Sequence, residues 1–262
     1  MSHLNTGQTA SGEVSADGRA ARPVHCQQCL LAPFCLPPGL SLAELARIDS
    51  EVRRRARMRR GDSLYRAGQA FGGLFALRSG ALRLDARWPD GRYSVVDVVL
   101  PGELVGLDGV GRDTYSFDAV ALGDVSVCAL PVATLERLQR EIPSLQRHFL
   151  AVMGARLRDE YERRLRSSME SADARLAMFF IEYSARLERT GRHARRFRLA
   201  LPLRDLADLL GLRAETLSRV LNDWERGGVI ARRGPRDIEL LDLDVLHQRA
   251  GVGPLVKDTV SS

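Results

Sequence analysis

The chain has 262 residues, 45% of them hydrophobic and 27% charged, a balance that supports a substantial core and two domains. No apolar run reaches the ~20 residues needed to cross a bilayer, which excludes a membrane span. The net charge of +6 favours an anionic partner such as nucleic acid, although Lys257 is the only lysine and the Arg-rich, Ala- and Gly-rich composition accounts for part of the excess.

The first twenty residues lack the basic start and apolar stretch of a secretion signal and are rich in Ser, Gly and Ala, so a disordered tail over 1–24 and a cytoplasmic protein are expected. The segment "HCQQCLLAPFCLPP" then places Cys26, Cys29 and Cys35 within ten residues, while Cys128 follows 93 positions later. A reducing compartment disfavours structural disulfides, and clustered thiols point to a metal or a redox role. Tetrahedral zinc is one reading of four thiols, and an apolar filler role for Cys128 is another. His25, beside the first cysteine, is expected to be solvated.

"SLAELARID" predicts a short helix with Ser41 as N-cap and Glu44 completing a capping box. From Leu40 to Leu130, Gly recurs between short alternating runs such as "SGALRLDARW", the pattern of an all-β barrel or sandwich. "DVSVCALP" puts Cys128 at the end of a late strand, and the run from Arg53 to Arg60 reads as a solvated edge.

Beyond Pro143 the pattern becomes helical. Leu150, Met153 and Leu157 fall on one face that continues to Glu160 and Arg164. In a parallel dimer these positions meet their counterparts. Two Glu160 carboxylates brought together oppose association, unless Arg156 or Arg164 neutralises them across the seam. A second helix, "SADARLAMFFIEYSARLER", is capped by Ser171 or Asp173, and "TGRHARRFR" is a basic connector. In residues 201–240 a helix with Leu203, Leu206, Leu209 and Leu210 inward ends at Gly211. A second helix with Leu217, Val220, Leu221 and Trp224 inward follows, then a hairpin turning at Gly234-Pro235. This is the order of a winged helix-turn-helix.

On the second of these helices Arg213, Glu215, Thr216, Ser218 and Arg219 point outward near the N-terminal end, where base edges are met. Arg pairs bidentately with guanine and Glu accepts from cytosine N4. An acid facing phosphates is otherwise repelled, so Glu215 makes sense as a base reader; a solvated i,i+4 pair with Arg219 is the alternative. No Ser/His/Asp set, P-loop or HExxH motif occurs, and no enzyme activity is expected.

"AETLSRVLNDWERGGVI" closely resembles the recognition helix of the CRP/FNR family of bacterial transcription regulators. "LFALRSGALRL", "PGELVG" and "IPSLQRHFL" are similar to that family's β-roll turns and the entry to its long helix, and the resemblance spans about residues 24–250. It implies an α+β fold: after the tail, a cupin-like β-roll (jelly roll) sensor domain with a cluster loop over 25–143. A dimerisation helix over 144–170 and a winged helix-turn-helix over 171–250 follow, with a second tail over 251–262. The FNR-type motif E-x-x-S-R, carried over, assigns Glu215, Ser218 and Arg219 to TTGAT-like half-sites of palindromic double-stranded DNA.

The cysteine spacing resembles the oxygen-sensing FNR branch, which implies that Cys26, Cys29, Cys35 and Cys128 hold a [4Fe–4S] cluster. Such a cubane takes four soft ligands, three from a loop and one from the folded domain. Leu30, Leu31 and Phe34 are expected to shield these ligands from solvent. The turn "RWPDGRYS" around Asp90 and Gly91 resembles the family's RNA-polymerase-contacting loop and leans towards activation. Gly102, Glu103 and Leu104 match the family's nucleotide motif, but "YSFDA" replaces the Arg-bearing stretch and Arg112 stands too early. A buried cyclic phosphate needs a cationic partner, so no cyclic nucleotide is expected.

The implied function is an oxygen-responsive regulator, dimeric and DNA-bound when loaded, monomeric after cluster loss, controlling genes of anaerobic metabolism. The alternatives are a regulator that responds to nitric oxide or to thiol or zinc redox state, and a metal-thiolate redox protein that does not act on DNA.

Overall fold

The computed structural model describes residues 25–54, 57–167 and 171–251, the side chains at 54, 159 and 162–167 excepted. The predicted tails, 1–24 and all but the first residue of 251–262, lie outside the described residues.

The described chain opens with a 3-10 turn, Cys26–Gln28, a single helical turn α1 (Ala32–Cys35) and helix α2 (Leu42–Glu51). The capping box forms as the sequence predicts: Glu44 N–H donates to the Ser41 hydroxyl at 3.2 Å, and Ser41 N–H donates to the Glu44 carboxylate at 2.8 Å. Eight strands follow: β1 (Arg53–Arg54), β2 (Ser63–Tyr65), β3 (Gly73–Ser79), β4 (Leu82–Arg87), β5 (Tyr93–Val99), β6 (Leu104–Val105), β7 (Asp118–Ala121) and β8 (Ser126–Pro131). They form two four-stranded antiparallel sheets ordered β1-β8-β3-β6 and β2-β7-β4-β5. Side chains alternate across each strand, so Phe75, Leu77, Leu82, Val99 and Val127 fill the space between the sheets. Tyr65 and Tyr115 stack there with ring centroids 3.8 Å apart. At Gly73, φ is +135° and a Cβ would stand 2.2 Å from the Leu130 carbonyl oxygen, so only glycine fits.

Helix α3 (Val132–Glu141) leads into the 25-residue α4 (Pro143–Ser167), and α5 (Ala172–Arg189) begins the C-terminal unit. Ser171 is the cap of α5, its hydroxyl accepting from Ala174 N–H. Asp173, the other candidate cap, instead accepts from the buried Trp224 indole at 2.6 Å. The remaining elements are β9 (Arg196–Arg198), α6 (Leu203–Leu209), α7 (Ala214–Arg226), β10 (Ile230–Arg232), β11 (Asp237–Leu240) and α8 (Leu243–Arg249). Residues 196–198, predicted as connector, form a third strand on the wing because Phe197 tucks in between two exposed arginines and pairs with Ile238. Part of the predicted Arg-rich edge is also a strand, with Arg53 and Arg54 paired to Ala129 and Cys128.

Leu176, Phe180, Leu206, Leu217, Leu221 and Trp224 form the C-terminal core, and Val95, Val98 and Leu100 of the roll join it. The C-terminal unit therefore packs directly on the β5 side of the roll. Asp208 accepts from Val95 N–H at 2.5 Å, and Arg83 reaches from β4 to Asp205 on α6.

Candidate cofactor cavity and nucleic-acid interface

Ala76 of β3 is the register partner of Cys128 on β8. Antiparallel partners share a face, and Val127 points into the roll core, so Cys128 lies on the outer surface of that sheet. It is the third of six strand residues rather than the last, which corrects the expected strand-end position. The small Ala76 side chain beside it leaves room, and the N-terminal loop, α2 and α4 close over the gap.

The result is one cavity of about 100 Å³ lined by Cys26, Cys29, Cys35 and Cys128 among apolar side chains that include Leu36, Ile48 and Phe149. None of the four cysteines is in a disulfide. Burial first, and then the neighbouring Cys29 and Cys128, push the Cys35 thiol up to about 12. Among the described residues no three His, Cys, Asp or Glu side chains close on a point that could hold a single metal ion. The donor set is four soft thiols around one apolar space, the kind an iron–sulfur cluster takes.

The loop is anchored at its start. Cys26 N–H donates to Asp49 of α2 at 2.7 Å, and the His25 ring pairs with the same carboxylate at 2.5 Å. His25 is exposed, as expected, and is also paired with Asp49. Leu30 does not shield the thiols: it is 92% exposed, because the turn preceding α1 throws it outward. Leu31 does line the cavity, whereas Phe34 lies over Gly102 instead. The apolar wall comes mainly from residues remote in sequence.

One group on that wall was not foreseen. His148 of α4 lines the cavity, and its Nε2 is shielded from solvent with no hydrogen-bond partner. Burial holds this imidazole below its ordinary range. The available sequence signal was a lone histidine inside the apolar helical run "LQRHFLAVM".

Along α4, Leu150 is 62% exposed, Leu157 52% and Tyr161 60%, on one helical face, with Met153 half-buried and Glu160 exposed. An apolar stripe of this kind is out of place on a lone helix and fits a facing helix. The side chain of Arg164 lies outside the described residues. Arg156 does not turn to the seam: it reaches the roll, 3.6 Å from Asp97 and 3.7 Å from Glu103, where two buried carboxylates attract it.

On α7, Glu215, Ser218 and Arg219 are exposed and line one open groove with Asn222, Asp223 and Arg226. Arg213, the N-cap residue, is also exposed. Thr216 is half-buried and outside the groove, because it leans toward the side carrying Leu217 and Val220. The hairpin tip around Asp90 and Gly91 is exposed, with Asp90 accepting from Arg92 N–H at 3.0 Å and Gly91 at φ +83°.

Within the roll, Glu103 is already occupied. Arg186 of α5 donates to it twice, Nε to Oε1 at 2.7 Å and Nη2 to Oε2 at 2.6 Å, and also donates to the Val98 carbonyl oxygen.

A β-roll, a long helix with an open apolar stripe and a winged helix-turn-helix define a class: DNA-binding transcription regulators with a sensor domain. A Crp-like helix-turn-helix domain matches residues 174–249, and a cyclic nucleotide-binding domain matches residues 55–141. The chain is 37% identical to the transcriptional activator protein Anr of Pseudomonas aeruginosa, over 89% of this chain and 95% of that one. It is 32% identical to the fumarate and nitrate reduction regulatory protein of Escherichia coli K12, over 87% and 91% respectively. Among solved structures, FixK2 from Bradyrhizobium japonicum superimposes with a TM-score of 0.70 at 26% identity, covering 77% of this chain and 98% of that one. The chain belongs to the CRP/FNR family of transcription regulators.

Proposed function

We propose that this regulator is an oxygen-responsive activator of genes for anaerobic metabolism, with Cys26, Cys29, Cys35 and Cys128 holding a [4Fe–4S] cluster. The observation that carries the reading is the convergence of all four thiols on one cavity whose far wall is α4. When bound, a cluster supplies an oxygen-labile link between its four thiolate ligands. The chain does the rest. With the loop cysteines held against Cys128, the loop, α2, β8 and the start of α4 behave as one packed body. The Leu150–Leu157 stripe is then presented in a fixed orientation to a second copy. Released, the loop no longer braces Phe149, and the stripe loses that orientation.

The homodimer places two α7 helices on the two halves of a palindromic, TTGAT-like site. Glu215, Ser218 and Arg219 read base edges, and Arg213 stands beside them at the helix start, where phosphate contact positions the protein. The Asp90–Gly91 hairpin is the surface offered to RNA polymerase. The protein works in the cytoplasm, and no helix among the described residues is long and apolar enough to cross a membrane. A cyclic nucleotide is not its signal, since Glu103 is taken by the chain's own Arg186 and the roll offers no Arg in the "YSFDA" segment.

Anaerobic preparation of the full chain tests this. Four irons and four sulfides per chain are expected, with an absorbance band that bleaches in air as dimer and DNA affinity fall. An air-stable single metal, or affinity indifferent to air, overturns the oxygen reading. Loss of the band to nitric oxide with stability in air assigns the other gas instead.

A further inference from the structure

We propose that His148 is a further residue of the cofactor site, through which the dimerisation helix responds to what the cavity holds. The inference rests on the four-thiol reading above. Helix α4 advances 100° per residue, so His148 and Leu150, two residues apart, lie on opposite faces. Leu145, His148 and Phe149 line the thiol cavity, and Leu150, Leu157 and Tyr161 form the exposed stripe. One helix thus carries the cavity wall on one side and the dimer face on the other.

His148 Nε2 is the anomaly on that wall. Buried polar atoms almost always have a hydrogen-bond partner, and this one has none within the protein. Of the other lining side chains, Arg78 can only donate and the rest are thiols or apolar, so the partner an Nε2–H fits there is sulfur carrying negative charge. In the loaded cavity the Nε2–H donates to such a sulfur, a charge-assisted bond that pulls the first turns of α4 onto the cavity. In the empty cavity the same group is a buried donor left unmade, which costs stability.

This predicts effects of opposite sign in the two states, which a purely structural histidine would not give. His148→Leu removes the unmade donor, so the iron-free protein should melt about 2–4 °C higher than wild type. The same variant, loaded anaerobically, should still carry its iron and sulfide but show a dimer dissociation constant about tenfold larger by sedimentation. His148→Gln, which keeps an N–H at the end of the side chain, should restore most of the loaded dimer. Loaded His148→Leu dimerising as wild type does, or shifts of the same sign in both states, overturns the proposal. Wild-type protein that binds no iron and sulfide overturns the cofactor reading itself, a failure visible before either variant is measured.

Discussion

Arg186 of α5 grips Glu103 of the roll in a two-point contact of 2.7 and 2.6 Å, and Asp97 lies 3.6 Å from the same guanidinium. With Arg156 reaching in from α4, the contact joins the roll, α4 and the C-terminal helix-turn-helix unit in one ionic cluster. Burial alone would raise the Glu103 carboxyl, but the Arg186 charge and hydrogen bonds, with Arg156 behind them, hold it below the usual carboxylate range.

Removing one partner strands the other. Glu103→Gln removes the nearer counter-charge of Arg186 and leaves only Asp97, 3.6 Å away, and should destabilise the protein by up to about 3–5 kcal/mol, read as the midpoint of urea unfolding. The pH dependence follows from the depressed folded-state value. The stabilisation is complete above the unfolded glutamate value of about 4.3 and is lost as pH falls below it through the folded value. Wild type should therefore lose stability below that pH more steeply than Glu103→Gln, and parallel curves would show that this pair is not responsible.

Cys128→Ala should give a chain without a stable cluster even when purified anaerobically. Ala76→Leu tests the same site without touching a thiol, because the larger side chain fills the space beside Cys128. Iron and sulfide analysis reads both, and four irons with four sulfides in Cys128→Ala would remove that residue from the ligand set.

Arg219→Ala should lose about 1–3 kcal/mol per half-site and relax the choice at one base pair. Binding measured on a panel of site variants separates this from a backbone role. A uniform loss across sequences with a flatter salt dependence would move Arg219 to the phosphate-contacting class.

Glu160→Ala should dimerise in air without a cluster. Arg156 lies 3.6 Å from Asp97 and 3.7 Å from Glu103, on the roll side of α4, and the test turns on the repulsion between two Glu160 carboxylates brought together. Shifting a monomer–dimer balance from mostly one state to mostly the other takes about 5 kcal/mol. An aerobic variant that sediments as the wild-type monomer does would show that Glu160 is not the brake.

What the sequence by itself determined is what short-range chemistry encodes. The Ser41–Glu44 box needs residues three apart, and the inward Leu217, Leu221 and Trp224 need only the helical period. The exposed Glu215–Ser218–Arg219 face is the complement of that same period. Thr216 is half-buried because it sits at the boundary of the two faces, where periodicity does not discriminate. The thiol spacing announced a site but not its walls. Only the tertiary structure decided that Cys128 faces outward opposite Ala76, since a one-residue change of register would bury it in the roll. Only it turned Leu30 to solvent, drew Arg156 away from the seam and paired Arg186 with Glu103 across 83 residues. Only it set His148 against the thiols. Each of these depends on how separate elements dock, and docking is fixed by the summed packing of surfaces remote in the chain, which no local pattern of residues carries.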